Sequence, residues 1–396
     1  MKISQSLLRM QPSATRAVAE RAKDLKDHGV PVLSLSSGVP GFKSPAASRR
    51  YAERAMEEGK TFYTVTAGTV ELRNAVSDYY KDRFGLIYEN DQIVVGAGAK
   101  PLIFEALGAI IDPGDEVILT APAWVSYVEQ IRFFGGKPVI VETKDRTFEI
   151  DIDRLRASVS ENTVAIIINC PNNPTGVIYG QKTMEDLCHL AVEKDLHIIN
   201  DEIYERITFD DCDYRNPLCY IPEAKEHILN INGVSKTYSM TGWRIGYALG
   251  SKDLIKKITT LQGHLTSGAC SIAQWAALGA ILEAKIEVDE MVSTYQKRRA
   301  IIAKELDTFP YISYVKPQGA FYFFVDIRKT IGRSSSGNII TDDIVFAEEL
   351  IEKEHVTVIP GTAFLLPGYV RISFTKGQDE IRSGLKRMRS FLESLS

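Results

Sequence analysis

From residue 91 to residue 249, short apolar runs alternate with segments whose apolar positions fall three and four residues apart. The runs at 92–95, 117–119, 138–141, 163–169, 196–199, 228–231 and 245–249 have the length of strands. The run at 163–169 is apolar almost throughout, as a strand covered on both faces requires. Between the runs, 101–111, 124–134 and 184–194 carry helical spacing, with Thr183 as a candidate cap for the last. Strands alternating with helices predict a mostly parallel sheet covered by helices, an α/β fold.

The flanking segments follow other patterns. Residues 14–27, 46–59 and 70–84 predict helices, 30–35 an extended run, and 61–68, which contains Tyr63, an irregular stretch. After residue 250 the chain is helical to about 306; the Lys297, Arg298 and Arg299 cluster reads as a solvated helix face. Period-two alternation marks 311–326, interrupted by Pro317-Gln318-Gly319-Ala320, and 334–337 reads as a flexible loop. A helix at 342–353, strands at 356–359 and 369–374 and a last helix at 379–395 complete an α+β unit. Residues 1–45 are expected to pack with it, giving a large domain at 46–285 and a small domain from 1–45 and 286–396.

Composition narrows the class. A chain of 396 residues, 44% apolar and 25% charged, has ordinary globular composition and room for two or three domains. A net charge of -4 does not favour nucleic acid. The five cysteines are scattered and form no CxxC pair, against both a disulfide framework and a thiolate zinc site. The first residues lack a signal-peptide core, and no apolar run approaches the ~20 residues of a membrane span. A cytoplasmic, metal-independent enzyme is the expectation.

In a parallel sheet, ligands bind beyond the C-terminal strand ends. The polar residues that follow the predicted strands are Gly98, Ala99 and Lys100, then Trp124, Asn169 to Asn173, Asp201 and Tyr204, and Lys236. Distant in sequence, they are predicted to meet at one edge of the sheet. Each alone has an ordinary alternative. Gly96-Ala97-Gly98-Ala99-Lys100 opens a helix after a strand and could bind a phosphate through backbone N–H groups, or could serve only as a helix start. It is neither a P-loop nor a full dinucleotide fingerprint. Asp201 is either a helix cap or an anion facing a ligand cation. Asn173, in Pro171-Asn172-Asn173-Pro174-Thr175-Gly176, is either a turn residue or an amide held rigid for a ligand. Arg371, among apolar neighbours on a strand, needs an anion, from the protein or from a substrate. Lys236 lies between two apolar runs and is either solvated or desolvated to keep its amine reactive. A reactive lysine, a carboxylate for a pyridinium nitrogen, a Tyr and an Asn for a phenolate, and an Arg with helix N–H groups for a phosphate together suit pyridoxal 5'-phosphate (PLP).

Three segments sharpen this: Pro171 to Gly176, Asp201-Glu202-Ile203-Tyr204-Glu205, and Ser235-Lys236-Thr237-Tyr238-Ser239-Met240-Thr241-Gly242-Trp243-Arg244-Ile245-Gly246-Tyr247. In this order and spacing the chain resembles the fold-type-I, PLP-dependent class I/II aminotransferases. It is most similar to the bacterial aspartate aminotransferase branch that includes thermophilic enzymes, from Pro12-Ser13-Ala14-Thr15 to the last helix. The resemblance implies a mostly parallel seven-stranded sheet and a smaller α+β domain. It implies that Lys236 is the Schiff-base lysine and the base and acid of the 1,3-proton shift. It assigns Asp201 to the ring nitrogen, Asn173 and Tyr204 to the ring oxygen, and Trp124 to the ring face. Arg244, with Gly98 and Ala99, is assigned to the phosphate, and Ser235 and Lys100 join the cofactor-binding set. Arg371 and Gly38 are assigned to the substrate α-carboxylate, beside Trp124 and Asn173. Tyr63 is expected to reach the phosphate of a second subunit, which implies a homodimer.

Substrate choice turns on departures from relatives. The loop at 265–268 lacks the arginine that binds the distal carboxylate in mammalian and enteric enzymes, and the bacterial branch uses a lysine at the position of Lys100 instead. Aspartate and 2-oxoglutarate are therefore the expected substrates. Gln11 stands where prephenate-using relatives carry a basic residue, which argues against prephenate. Aminotransferases for alanine, aromatic or basic amino acids, and a PLP-dependent lyase, remain the alternatives. A transcription regulator of this fold is not expected, since the aminotransferase motifs begin by Pro12 and leave no room for a DNA-binding module.

Overall fold

The computed structural model describes residues 2–12 and 14–396. Of the Pro12-Ser13-Ala14-Thr15 segment, Ser13 and the side chains of Ala14 and Thr15 lie outside the described residues. Seven strands form one sheet: β1 (Ile93–Gly96), β2 (Glu116–Ala121), β3 (Lys137–Glu142), β4 (Thr163–Asn169), β5 (His197–Asp201), β6 (Ile228–Gly233) and β7 (Gly246–Leu249). Their spatial order is β1-β7-β6-β5-β4-β2-β3. Only β7 is antiparallel to its neighbours; every other pair is parallel.

Alternation along the strands supplies two apolar faces. Val94, Leu119, Ile167, Ile199, Ile231 and Ala248 face helices Ala99–Ile110, Ser126–Phe133 and Lys252–Leu265. Val95, Ile118, Ile168, Ile198 and Leu249 face helices Val70–Phe84, Gln181–Lys194 and Ser271–Glu283. Each fully buried Ile, Leu or Val contributes about 1.5–3 kcal/mol relative to leaving it in water. The C-terminal strand ends are thereby held in one row.

A second core surrounds an antiparallel sheet of β8 (Ser313–Tyr314), β9 (Tyr322–Asp326), β10 (Ile359–Pro360) and β11 (Tyr369–Ser373), in the order β10-β11-β9-β8. Phe321, Phe323, Phe346, Phe374 and Phe391 fill it. The start of the chain joins here: Leu33–Ser34 pairs in parallel with Val356–Thr357, and Ser373 N donates to Leu35 O at 2.7 Å. Tyr204, Ile207 and Phe209, just beyond β5, belong to this second core. The edge of the large sheet is therefore packed directly against the smaller one.

Four local expectations are corrected. Residues 334–337 are not a bare loop: Ser334–Ser335 pairs with Asn338–Ile339 as a small hairpin. The helix expected from 124 begins at Ser126, which leaves Trp124 in the turn after β2. Gly180, not Thr183, precedes helix Gln181–Lys194, and Thr183 Oγ1 donates instead to Glu149 Oε2 at 2.9 Å. The Lys297-Arg298-Arg299 cluster is solvated only at Lys297. Arg298 and Arg299 follow the buried Tyr295 by three and four residues, so helix Lys285–Leu306 turns them to its inner face. Arg298 donates to Thr375 O at 2.8 Å. Arg299 donates to Pro317 O at 2.7 Å, pairs with Asp210 and lies over the Phe209 ring.

Arg299→Ala should lower the unfolding free energy by about 1–3 kcal/mol, because it leaves the Pro317 carbonyl without its donor and removes the buried side chain packed on Phe209. Lys297→Ala should change it by less than about 0.5 kcal/mol. Urea unfolding of the two variants checks both; equal losses would contradict the inner-face placement.

Candidate active site

A cavity of about 840 Å³ opens where the C-terminal strand ends meet the second core. Gly38, Ala99, Lys100, Trp124, Asn173, Asp201, Tyr204, Ser235, Lys236, Arg244 and Arg371 all line it. Two expected residues do not. Gly98 lies just behind the wall, where a Cβ would overlap the Arg244 guanidinium. Its φ of +107° also suits glycine. Tyr63 is 93% exposed on the surface, beside Phe62, and does not line the cavity of its own chain.

The antiparallel turn from β6 to β7 explains where Lys236 and Arg244 sit. An antiparallel neighbour can be reached by a short connection, whereas a parallel one needs a long crossover. Both ends of residues 234–245 therefore stay at the ligand edge. One helical turn, Val234–Thr237, raises Lys236 toward the cavity. Arg244 adopts φ +57°, an uncommon value for a side-chain-bearing residue, and its Nη1 donates to Thr241 O at 2.9 Å. A Cβ on Gly246 would collide with Gly98 and Ala99 backbone, so only glycine lets this turn press against the start of helix Ala99–Ile110.

Lys236 Nζ donates to Gly38 O at 2.7 Å. Burial pushes its amine down to about 8, with Arg371, Arg244 and Lys100 adding to the effect and Asp201 opposing it. Asp201 is the one carboxylate in the lining among the described residues. Burial pushes its carboxyl up to about 6. Tyr127 OH donates to its Oδ2 at 2.6 Å and Ile203 N to its Oδ1 at 3.3 Å, which favours the ionised form. No helix follows, so Asp201 caps a turn. Beside it Glu202, with its carboxyl pushed up to about 7 by burial, accepts from Tyr214 OH at 2.7 Å and Asn216 Nδ2 at 2.9 Å. Those contacts tie the end of β5 into the protein interior.

Arg371 enters from β11, the strand between β9 and β10. Its Nη1 donates to Asn173 Oδ1 and its Nη2 to Ser36 O, each at 2.9 Å. Its Nε is buried with no protein partner. Asn173 N donates in turn to Asn169 Oδ1 at 2.7 Å, and Asn169 Nδ2 donates to Asp201 O at 2.8 Å. Tyr204 and Tyr322 share a hydrogen bond of 2.9 Å between their hydroxyls, and the Tyr322 ring lies 4.2 Å from the Arg371 guanidinium carbon. Lys100 Nζ stands 4.4 Å from the Trp124 ring centroid, its amine pushed down by burial and by Arg244.

Tyr127, Tyr322 and Ser36 were not singled out from the sequence. Tyr127 sits at helical spacing and Tyr322 in a period-two apolar run, so each reads as core. Ser36 contributes a backbone carbonyl, which carries no residue-type signal. Asn169 belongs to the predicted row of strand-end polar residues, with no role assigned to it there.

Similarity to known proteins agrees with this geometry. The profile of the aminotransferase class I and II family matches residues 30–388. The chain belongs to that family, whose members use PLP as cofactor. It is 38% identical to the aspartate aminotransferase of Bacillus subtilis, covering 100% of both chains. It is also 38% identical to a probable aspartate/prephenate aminotransferase of Aquifex aeolicus, covering 98% of this chain and 97% of that one. Among solved structures, the aspartate aminotransferase of Rhizobium meliloti superposes with a TM-score of 0.97 at 33% identity, covering 100% of both chains. The Thermus thermophilus enzyme with maleate superposes with a TM-score of 0.93 at 37% identity, covering 99% of this chain and 100% of that one.

In the cofactor-free protein, imine formation between Lys236 and a small aldehyde should rise with pH around a midpoint of about 8. An exposed lysine would titrate near ~10.4. Asp201→Asn should lower the midpoint further, since it removes the anion that holds the proton on. A midpoint near that of free lysine would contradict the burial of the amine.

Proposed function

We propose that this chain transfers the amino group of L-aspartate to 2-oxoglutarate by a ping-pong mechanism, with PLP held in the cavity. The observation that carries the substrate reading is the presence of Arg371 and Lys100 in one cavity, two cations suited to the two carboxylates of a dicarboxylic acid.

The residues present fit the cofactor. Asp201 is desolvated and lacks a hydrogen-bonded cation, so a protonated ring nitrogen would relieve the burial that raises its carboxyl. Asn173 has its amide oxygen taken by Arg371, which orients its Nδ2 as a donor for the ring oxygen, beside the Tyr204 hydroxyl. The backbone at Gly98 and Ala99 begins a helix of 12 residues, and Arg244 packs against it, a combination suited to phosphate. Ser235 lines the same wall and Trp124 offers an aromatic surface. Bound there, PLP supplies an electron sink that lets the α-proton of an amino acid leave.

The chain's own residues supply the rest. Lys236 Nζ, with its amine lowered to about 8, is neutral in a useful fraction near neutral pH and accepts the proton from the substrate α-carbon. Arg371, already fixed by Asn173 and Ser36, holds the α-carboxylate from the cavity wall, with Gly38 alongside. The two-core division is read as a large domain at 46–285 and a small domain from 1–45 and 286–396. Tyr63 and Phe62, both exposed, are read as part of a homodimer contact through which Tyr63 reaches the partner's phosphate site.

Prephenate is the second dicarboxylic reading, since relatives carry the aspartate/prephenate name. Gln11 does not support it: its side chain is exposed and uncharged, and it does not line the cavity.

Lys236→Ala should abolish turnover while PLP still binds through Arg244 and Asp201; near-normal activity in that variant would falsify the proton-transfer role. Lys100→Ala should reduce kcat/KM for aspartate and glutamate by about tenfold or more, the order expected for losing one charge-assisted contact, with little change for alanine. Half-reaction rates over a panel of amino acids measure both, and an equal loss for alanine would point to a phosphate or folding role instead.

A further inference from the structure

Among the described residues the cavity is lined by seven cationic side chains and one carboxylate, in a protein whose net charge is -4. Two of the cations, Lys236 and Arg244, are taken by the cofactor in the proposed function. Two more, Arg371 and Lys100, are taken by the substrate carboxylates. Three are left over: Lys23, Lys26 and Lys376.

Their surroundings set them apart from ordinary surface lysines. Lys23 and Lys26 lie three residues apart on helix Ala14–Asp27, so they share a face, and both belong to the cavity lining. Lys376 follows β11, five residues beyond Arg371, and approaches the same cavity from the other end of the chain. Among the described residues none of the three amines makes an ion pair; on the same helix Asp24 is engaged by Arg21, while Glu20 and Asp27 place negative charge near Lys23 and Lys26 in the chain. Three lysines that are neither ion-paired nor assigned to chemistry therefore remain at the mouth of a concave site. Such walls focus the field and raise the capture rate of oppositely charged ligands.

We propose that Lys23, Lys26 and Lys376 form an approach site that captures doubly negative dicarboxylates and passes them to Arg371 and Lys100. They would set specificity through association rate rather than through the chemical step. 2-Oxoglutarate carries two net negative charges into this field, aspartate one and a neutral-side-chain amino acid none, so the lysines favour the dicarboxylates before any contact deeper in the cavity. The inference rests on the dicarboxylate reading of the site.

The test is stopped-flow binding of maleate, a dicarboxylate with no amino group to transfer, to the PLP-loaded enzyme at salt concentrations from about 20 to about 200 mM. The triple variant K23Q/K26Q/K376Q should bind maleate about fivefold more slowly at low salt and lose most of its salt dependence, with dissociation unchanged. The K23R/K26R/K376R triple variant should keep the wild-type association rate, because the charge is retained. An unchanged association rate and salt slope in the glutamine variant would overturn the proposal. So would a loss carried wholly by faster dissociation. Failure of the dicarboxylate reading itself shows separately, as a maleate dissociation rate that Lys100→Ala leaves unaltered.

Discussion

A short series of hydrogen bonds joins the two cores of this protein and fixes the site between them. Arg371, on a strand of the smaller sheet, reaches Asn173 in the loop after β4. Asn173 is tied through its backbone to Asn169, and Asn169 to the carbonyl of Asp201 at the end of β5. The same guanidinium holds the Ser36 carbonyl, from the segment that leads into the small sheet. A buried arginine without such partners would be strongly destabilising. Two carbonyl-type oxygens hold the two Nη groups of Arg371, Nε is buried without a partner, and the side chain as a whole lines the cavity. Three functional positions from different parts of the chain thereby share one rigid frame.

The charges in that frame work on one another. Lys236 is lowered because it is buried near Arg371, Arg244 and Lys100, and Asp201 is raised because it is buried with little cationic compensation. Both shifts are those of a site that becomes electrostatically balanced only when a ligand brings a phosphate, a carboxylate and a ring cation. The excess of positive charge extends outward to the mouth, so recognition of anions begins before the buried groups are reached.

The strand and helix pattern of the large sheet was legible because both faces are apolar and the runs are short. At the arginine cluster and at two site tyrosines, reading failed because a polar group is turned inward. Arg298 and Arg299 looked like a solvated stripe, yet they share the face of Tyr295 and Ile302, and each donates to a backbone carbonyl. Tyr127 and Tyr322 looked like core and are core, but each places its hydroxyl at the site, on Asp201 and on Tyr204. Apolar periodicity reports burial of a side chain and is silent about where its polar end points.

The sequence by itself determined the alternation of strands and helices and the row of polar residues at strand ends. With the motifs from Pro171 to Gly176 and from Ser235 to Tyr247, it also determined the family and its cofactor. These are local properties: propensity, periodicity and residue type at fixed spacing. Only the tertiary structure decided that Arg371 is held by Asn173 and Ser36, and that Gly98 and Gly246 let Arg244 close on a helix start. Only the fold, too, brought Lys23, Lys26 and Lys376 to one mouth. Those contacts join residues up to hundreds of positions apart, and burial and charge at a point in space depend on everything folded around it.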